Sequence, residues 1–150
     1  MKTNPRPPGD PIRILLIDDD LEDVRLMKEA LLESKIYINM ESVRDGAEGL
    51  AYLRREGQYS QARRPDLILL DLNMPGKHGR EVLAEIKTDP GLRRIPVVIL
   101  TTSNADQDVL QTYDLGANAY VIKPVDLEQL IAIVHKLEDF WFTIVRLPGS

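Results

Sequence analysis

The strongest constraint on the fold is a series of five short apolar runs, each four to eight residues long and rich in Ile, Leu and Val. Runs of this length that are bounded by Pro, Asp, Asn or Gly favour buried strands over helices. The runs occupy residues 12–17, 36–43, 67–70, 95–100 and 119–122. Because strands this apolar are buried on both faces, they require a sheet that helices cover on both sides.

Segments with the apolar spacing of amphipathic helices separate these runs. In the first segment, Leu21, Val24, Met27 and Leu31 recur at intervals of three or four residues. Similar but mostly shorter or weaker spacing occurs in residues 47–54, 82–86, 109–113 and 127–137. The alternation predicts an α/β fold, a five-stranded parallel sheet with right-handed crossovers and helices on both faces. Residues 55–65, polar and rich in arginine, indicate a solvated loop.

Length and composition narrow the class of protein. The 150 residues correspond to one domain, since domains commonly have roughly 100–200 residues. The absence of cysteine excludes disulfides, thiolate nucleophiles and cysteine-ligated metals. The formal net charge of −5 argues against an extended nucleic-acid interface, and the longest unbroken apolar run, residues 130–134, is much shorter than a membrane span. We expect a cytoplasmic protein that binds neither nucleic acid nor membrane.

The two ends of the chain differ from its centre. Residues 1–11 contain four of the ten prolines and no apolar segment, so we expect a flexible N-terminal tail and not a signal peptide. Residues 12–139 form the predicted domain. Residues 140–150 are a hydrophobic C-terminal extension, which begins with the only Phe and Trp residues of the chain, Phe140, Trp141 and Phe142.

This apolar extension has two interpretations. It packs on the core of its own chain, or it makes an intermolecular contact. Ile133 lies seven residues before Phe140 and off the main apolar stripe of the last helix. Extra apolar surface there suits a symmetric homodimer, with Ile133, Phe140, Trp141 and Phe142 as candidate contacts.

Ionisable or hydroxyl side chains follow four of the five apolar runs. Asp18 and Asp19 follow the first run, Asp71 the third, Thr101 the fourth and Lys123 the fifth. The carboxyl ends of parallel strands share one edge of a sheet, and ligands bind in the crevice outside that edge. We therefore expect these side chains to meet in one site.

Three carboxylates in one small volume repel one another. Two of them 4 Å apart repel by ~4 kcal/mol at an effective dielectric constant near 20. A hard divalent cation relieves this repulsion, and carboxylate and water ligands suit Mg²⁺ or Mn²⁺. An aspartate beside such a cation, a lysine and a hydroxyl is a plausible acceptor of a phosphoryl group, because the positive groups stabilise the phosphoryl oxygens.

Each of these residues also has a simpler interpretation. The acids at 18–20 with Glu22 and Asp23 can cap the first helix and favour its dipole. Asp71 can be an ordinary turn aspartate, Thr101 a structural residue and Lys123 a surface residue. Their joint occurrence at the ends of four strands favours a single site.

The motifs resemble those of the receiver domain of two-component response regulators, over roughly residues 12–138. The matching stretches are residues 14–19, 65–71, 73–75, 97–101 and 120–124, with Gly79. The resemblance implies the flavodoxin-like strand order 2-1-3-4-5. It also implies that Asp71 accepts a phosphoryl group from a sensor histidine kinase. Asp18, Asp19, Asp71 and the backbone carbonyl of Asn73 would then hold Mg²⁺, directly or through water.

The resemblance assigns further roles around the phosphoryl group. Thr101 and Lys123 bind its oxygens, and the rotamer of Tyr120 is coupled to Thr101. The bond between Lys123 and Pro124 is usually cis in this family. Thr102 stands where many relatives have Ala or Gly, and we hypothesise that it narrows access to the phosphoryl group and alters dephosphorylation.

Little chain follows the last predicted helix, so we expect a stand-alone receiver that signals through contacts with an unknown downstream protein and catalyses only its own phosphorylation and dephosphorylation. Residues 72–87 and the apolar tail are similar to those of the small response regulators that serve bacterial phytochrome histidine kinases. That narrower resemblance implies a red-light-sensing kinase and a homodimer through the fourth helix, fifth strand and fifth helix.

A rival function is a magnesium-dependent phosphohydrolase that uses Asp71 as nucleophile on small phosphate esters. The position two residues later is Asn73, so a second catalytic acid is missing there. Nucleotide or flavin binding ranks last, because the chain has neither glycine-rich phosphate-binding motif.

Overall fold

The computed structural model describes residues 11–33, 38–72, 74, 78–102, 115–123, 128, 129 and 132. The strands are β1 (Ile12–Ile17), β2 (Ile38–Val43), β3 (Leu67–Asp71), β4 (Val97–Thr101) and β5 (Ala119–Ile122). They form one parallel sheet in the order β2-β1-β3-β4-β5. The predicted α/β fold and its strand order are confirmed.

Three α-helices lie within the described ranges, namely α1 (Leu21–Glu33), α2 (Gly46–Arg54) and α3 (Gly79–Thr88). The predicted helix at 109–113 lies outside these ranges, as does most of the one at 127–137, of which Glu128, Gln129 and Ala132 are helical. No helix in the described ranges is long and apolar enough to cross a membrane.

The core lies on both faces of the sheet, because successive side chains of each strand point to opposite faces. On one face, Ile14 and Leu16 of β1 pack with Val24 and Met27 of α1. On the other face, Leu15 and Ile17 belong to the cluster that holds the buried residues of α2 and α3, namely Leu50, Val82, Leu83 and Ile86. All five residues of β3 and of β4 are buried, as expected for central strands that helices cover on both sides.

Strands β3 and β4 have boundaries that differ from the sequence prediction in a way that matters for the site. The fourth run was expected at 95–100, but β4 begins at Val97. Ile95 donates its N–H to the carbonyl of Leu92 (3.0 Å) in a turn, and Pro96 has no N–H for a strand ladder. Strands β3 and β4 each extend one residue further than predicted, so Asp71 and Thr101 are the last residues of their strands.

The loop at 55–65 is more ordered than its polar composition indicates. It contains a short 3₁₀ helix, Gly57–Tyr59. The hydroxyl of Tyr59 donates to Oε1 of Glu48 (2.8 Å), and its ring lies 5.4 Å from the ring of Tyr52. Most other residues of the loop are exposed, but Ala62 is half-buried and Pro65 is buried, so the expectation of a solvated segment is correct for most of its length.

Helix α3 begins directly against the end of β3. His78 caps it, since Nδ1 accepts a hydrogen bond from the N–H of Arg80 (3.1 Å). A Cβ atom at Gly79 would lie 2.6 Å from the carbonyl oxygen of Asp71 and 2.7 Å from Cα of Leu72. Glycine therefore permits the close approach that places α3 beside the strand end carrying Asp71.

We expect Gly79→Ala to lower the free energy of unfolding by about 1–3 kcal/mol, the usual cost of forcing an extra methyl group into a packed site. Gly91→Ala is the control, because Gly91 is exposed and the nearest atom to its Cβ would be Oδ1 of Asp89, at 3.3 Å. Urea unfolding measures both variants. Equal losses for the two would contradict this account of Gly79.

Candidate functional site

Three carboxylates meet at the carboxyl edge of the sheet. Asp18 and Asp19 follow β1, and Asp71 ends β3. Ile17 pairs with Leu70 across the two strands, so Asp18 and Asp71 occupy the next position on neighbouring strands. One oxygen from each of the three carboxylates lies within 4.8 Å of the others. Asp18 and Asp71 are buried, at 1% and 2% exposure, and Asp19 is half-buried.

Lys123 reaches this cluster from the end of β5. Its Nζ lies 3.1 Å from Oδ2 of Asp18 and 3.2 Å from Oδ2 of Asp71. A third carboxylate, that of Asp23 in the first turn of α1, lies closer still, at 2.9 Å. The backbone N–H of Lys123 donates to the carbonyl of Thr101 (2.8 Å), which fixes the lysine relative to the end of β4.

Burial raises the pKa of Asp18 to about 6, and the negative charge of Asp71 acts in the same direction. The N–H of Asp20, which donates to Oδ1 (2.9 Å), and the ammonium of Lys123 oppose this rise without cancelling it. Oδ2 of Asp18 is buried and receives no well-directed hydrogen bond from the described residues. The ammonium of Lys123, at 3.1 Å, forms an ion pair with this oxygen.

Lys123 remains charged in this surrounding. Burial opposes the charge, but the hydrogen bond to Asp23 and the charges of Asp71 and Asp18 outweigh it and raise the pKa of Lys123 above its ordinary value. A buried ammonium with several carboxylates around it is strongly favoured in its protonated form. It is therefore a fixed positive charge at the edge of the acid cluster.

The remaining predicted residues near the site lie along β4 and β5. Leu100 of β4 pairs with Asp71 of β3. Thr101, the next residue and the last of β4, is buried. Thr102 follows it and is exposed. Tyr120 of β5 is half-buried and packs against the core on the face that α2 and α3 cover. The structure brings Thr101 to the same edge as the acids, whereas the roles of these three residues in a switch stay predictions.

Several predicted positions lie outside the described residues, so their assignments stay predictions. They are Asn73, Pro124, Ile133, Phe140, Trp141 and Phe142, together with residues 1–10 of the N-terminal tail and all of the extension 140–150.

The pairing of Asp23 with Lys123 was absent from the sequence prediction, which counted Asp23 among the acids that can cap the first helix. The only sequence signal was its place in the turn that follows the end of the first strand. Asp20, one of the acids predicted to cap this helix, is confirmed in that role, because Oδ1 accepts from the N–H groups of Glu22 (2.9 Å) and Asp23 (3.3 Å).

Comparison with known proteins agrees with this geometry. The family model "Response regulator receiver domain" matches residues 14–135. The chain belongs to the response regulator receiver family. As a member it is a phosphoacceptor protein of two-component signalling.

Individual relatives are similar over most of their length. Response regulator Rcp1 of Synechocystis sp. is 47% identical over 137 residues, covering 91% of this chain and 93% of Rcp1. The crystal structure of the phosphorylated cyanobacterial phytochrome response regulator RcpA is 53% identical, with a TM-score of 0.76 and coverage of 89% of this chain and 95% of RcpA. The bacteriophytochrome response regulator RtBRR is 44% identical, with a TM-score of 0.75 and coverage of 85% and 78%.

The raised pKa of Asp18 predicts a pH dependence of stability. The folded pKa of about 6 lies above the ordinary value of 3.8, so the carboxylate destabilises the cation-free fold above about pH 6, and this penalty disappears as the pH falls toward 4. With a chelator present, we expect Asp18 to contribute more to the free energy of unfolding at about pH 5 than at about pH 7, because its carboxylate becomes protonated in the folded protein as the pH falls. A saturating divalent cation removes the rise, because it binds the ionised carboxylate.

Urea unfolding of the protein and of Asp18→Asn at both pH values measures this contribution. The variant lacks the titrating group, so the difference between the two proteins should change with pH. A difference that stays constant between the two pH values would contradict the assignment.

Proposed function

We propose that Asp71 accepts a phosphoryl group from a sensor histidine kinase in a reaction that depends on Mg²⁺. The observation that carries the proposal is the buried pair of Asp18 and Asp71, which lies against a single ammonium, that of Lys123, at the carboxyl edge of the sheet. This arrangement offers a nucleophilic carboxylate, a cation site and a fixed positive charge within one small volume. Phosphoryl transfer needs these elements more than a strong base, because its transition state is loose and charge is spread over the phosphoryl oxygens.

The donor set fits a hard divalent cation. Asp18, Asp19 and Asp71 provide carboxylate oxygens within 4.8 Å of one another, and Oδ2 of Asp18 is buried without a hydrogen bond from the described residues. Oxygen ligands of this kind suit Mg²⁺ or Mn²⁺, and the backbone carbonyl of Asn73 is the fourth ligand that we propose. The relative Rcp1 has been crystallised in a Mn²⁺-bound form. The cation would neutralise charge on the phosphoryl oxygens.

Each side chain of the site has its own role in the proposed phosphoryl transfer. A carboxylate oxygen of Asp71 attacks the phosphorus atom, its new O–P bond replaces the P–N bond of the kinase phosphohistidine, and the imidazole leaves. Lys123, held beside Asp71 at 3.2 Å, meets one phosphoryl oxygen, and the hydroxyl of Thr101 donates to another. We propose that the hydrogen bond from Thr101 to the phosphoryl group draws Thr101 and Tyr120 inward. We also propose that Thr102, exposed beside Thr101, limits the access of water to the phosphoryl group.

Phosphorylation of Asp71 is tested by intact mass after incubation with acetyl phosphate and Mg²⁺. We expect one added phosphoryl group, which disappears in Asp71→Asn and in the presence of a chelator. Asp20→Asn is the matched control, because Asp20 lies beside the cluster, caps α1 and is replaced by a residue that caps equally well. It should be phosphorylated like the parent. Continuous turnover of small phosphate esters would instead support the rival phosphohydrolase.

We propose that the phosphodonor is a phytochrome histidine kinase. Support comes from the similar proteins RcpA and RtBRR, which are a phytochrome and a bacteriophytochrome response regulator. An autophosphorylated bacterial phytochrome is expected to transfer its phosphoryl group to this chain, and not to Asp71→Asn, at least tenfold faster than a chemotaxis kinase does, a preference of about 1.4 kcal/mol. Radiolabel transfer over time measures both rates. Equal rates from the two kinases would contradict the phytochrome link.

The remaining proposals concern organisation. Residues 12–139 form the signalling domain between a flexible tail, 1–11, and a hydrophobic extension, 140–150. The protein works in the cytoplasm, which suits its lack of cysteine. It catalyses only its own phosphorylation and dephosphorylation, and it signals by contacting an unknown downstream protein.

We propose a homodimer through the fourth helix, β5 and the fifth helix. In the described sheet β5 is an edge strand, and its residue Ile122 is 38% exposed.

A further inference from the structure

The ammonium of Lys123 has more carboxylate partners than the phosphoacceptor site accounts for. Two of them, Asp18 and Asp71, belong to the cluster that would hold the cation. The third, Asp23, does not belong to the group of acids that lie within 4.8 Å of one another. Yet Asp23 makes the shortest of the three contacts, at 2.9 Å against 3.1 and 3.2 Å.

Both partners of this contact are held by the backbone around them. The N–H of Asp23 donates to Oδ1 of Asp20 (3.3 Å), within a first turn that is followed by the buried Val24 of α1. The N–H of Lys123 donates to the carbonyl of Thr101 (2.8 Å). The side chain of Asp23 is 20% exposed and that of Lys123 is 10% exposed. An ion pair with so little exposure to solvent is screened less than one between exposed surface side chains, so it is more persistent.

A divalent cation and Lys123 compete for the same atoms. Oδ2 of Asp18 and Oδ2 of Asp71 lie 3.1 and 3.2 Å from Nζ, and they belong to the carboxylates that would bind the cation. A dication at that point repels the ammonium, because like charges a few ångströms apart are strongly unfavourable in a site of low polarity. Lys123 then loses the attraction of two carboxylates and keeps that of Asp23.

We propose that Asp23 is a positioning residue that holds the ammonium of Lys123 at the side of the acid cluster, so that the cation enters the cluster while the lysine stays within reach of the phosphoryl group. This inference rests on the proposed cation-dependent phosphorylation of Asp71. Without Asp23, the carboxylates that remain beside the ammonium among the described residues are Asp18 and Asp71, so the lysine competes more strongly with the cation. The charge of Asp23 thus acts on cation binding through Lys123.

The test is the dissociation constant of Mg²⁺, measured by titration calorimetry on the full chain after removal of bound metal. We expect Asp23→Ala to weaken Mg²⁺ binding roughly tenfold, the scale of one charge-assisted hydrogen bond. Asp23→Asn, which keeps an acceptor for Lys123 without the charge, should weaken it less. Glu22→Gln is the matched control, since it removes one negative charge from the same helical turn at an exposed position, and it should change the constant by about twofold or less.

A second background separates action through the lysine from a general effect of charge. In Lys123→Met, which keeps the length of the side chain, Asp23→Ala should weaken Mg²⁺ binding no more than Glu22→Gln does. A full tenfold effect in that background would overturn the inference, because Asp23 would then act on the cation directly. Equal effects of Asp23→Ala and Glu22→Gln in the parent would overturn it too. Thermal unfolding of each variant establishes that the constants refer to folded protein.

The outcome also separates this inference from the proposed function. A parent that binds Mg²⁺ and is phosphorylated on Asp71, with no special effect of Asp23, contradicts the inference alone. A parent that neither binds Mg²⁺ nor gains a phosphoryl group contradicts the proposed function and the inference with it.

Discussion

The attraction between one ammonium and the carboxylates at the ends of β1 and β3 is the interaction on which the site depends. Asp18 and Asp71 are removed from water, and two buried carboxylates side by side are costly unless positive charge lies close. Lys123 supplies that charge from the end of β5. The same contact therefore ties β5 to β1 and β3 at the functional edge and prepares the groups for phosphoryl transfer.

The parallel register of the sheet makes this contact possible. Ile17 lies opposite Leu70, and Asp71 lies opposite Leu100, so the residues after β1, β3 and β4 are brought to one edge. The long side chain of Lys123 reaches the same place from the end of β5. Gly79 then allows α3 to begin against the backbone of Asp71. The position of the site is thus a consequence of strand pairing and of close helix packing against the end of β3.

Sequence reasoning succeeded where a pattern is repeated and failed where a single contact decides. Five apolar runs specify the strand order once the family resemblance is added, and the residues after them specify which acids meet. Periodicity alone placed the start of β4 two residues early, because it does not register that Ile95 is bound in a turn. The pairing of Asp23 with Lys123 joins residues a hundred positions apart, and no local pattern distinguishes that aspartate from Asp20, which caps the helix.

Charge balance shows why a fourth acid is useful in such a site. Asp18, Asp19, Asp71 and Asp23 face one ammonium, and a dication still leaves them with a small negative excess that keeps Lys123 bound. Phosphorylation then adds roughly one further negative charge at the edge of the sheet. Because Lys123 already lies 3.2 Å from Asp71, it needs only a small displacement to meet the new oxygens. In the role that we propose for it, Asp23 would keep the ammonium beside the acid cluster when the cation repels it, so that Lys123 would be in place to bind the phosphoryl oxygens.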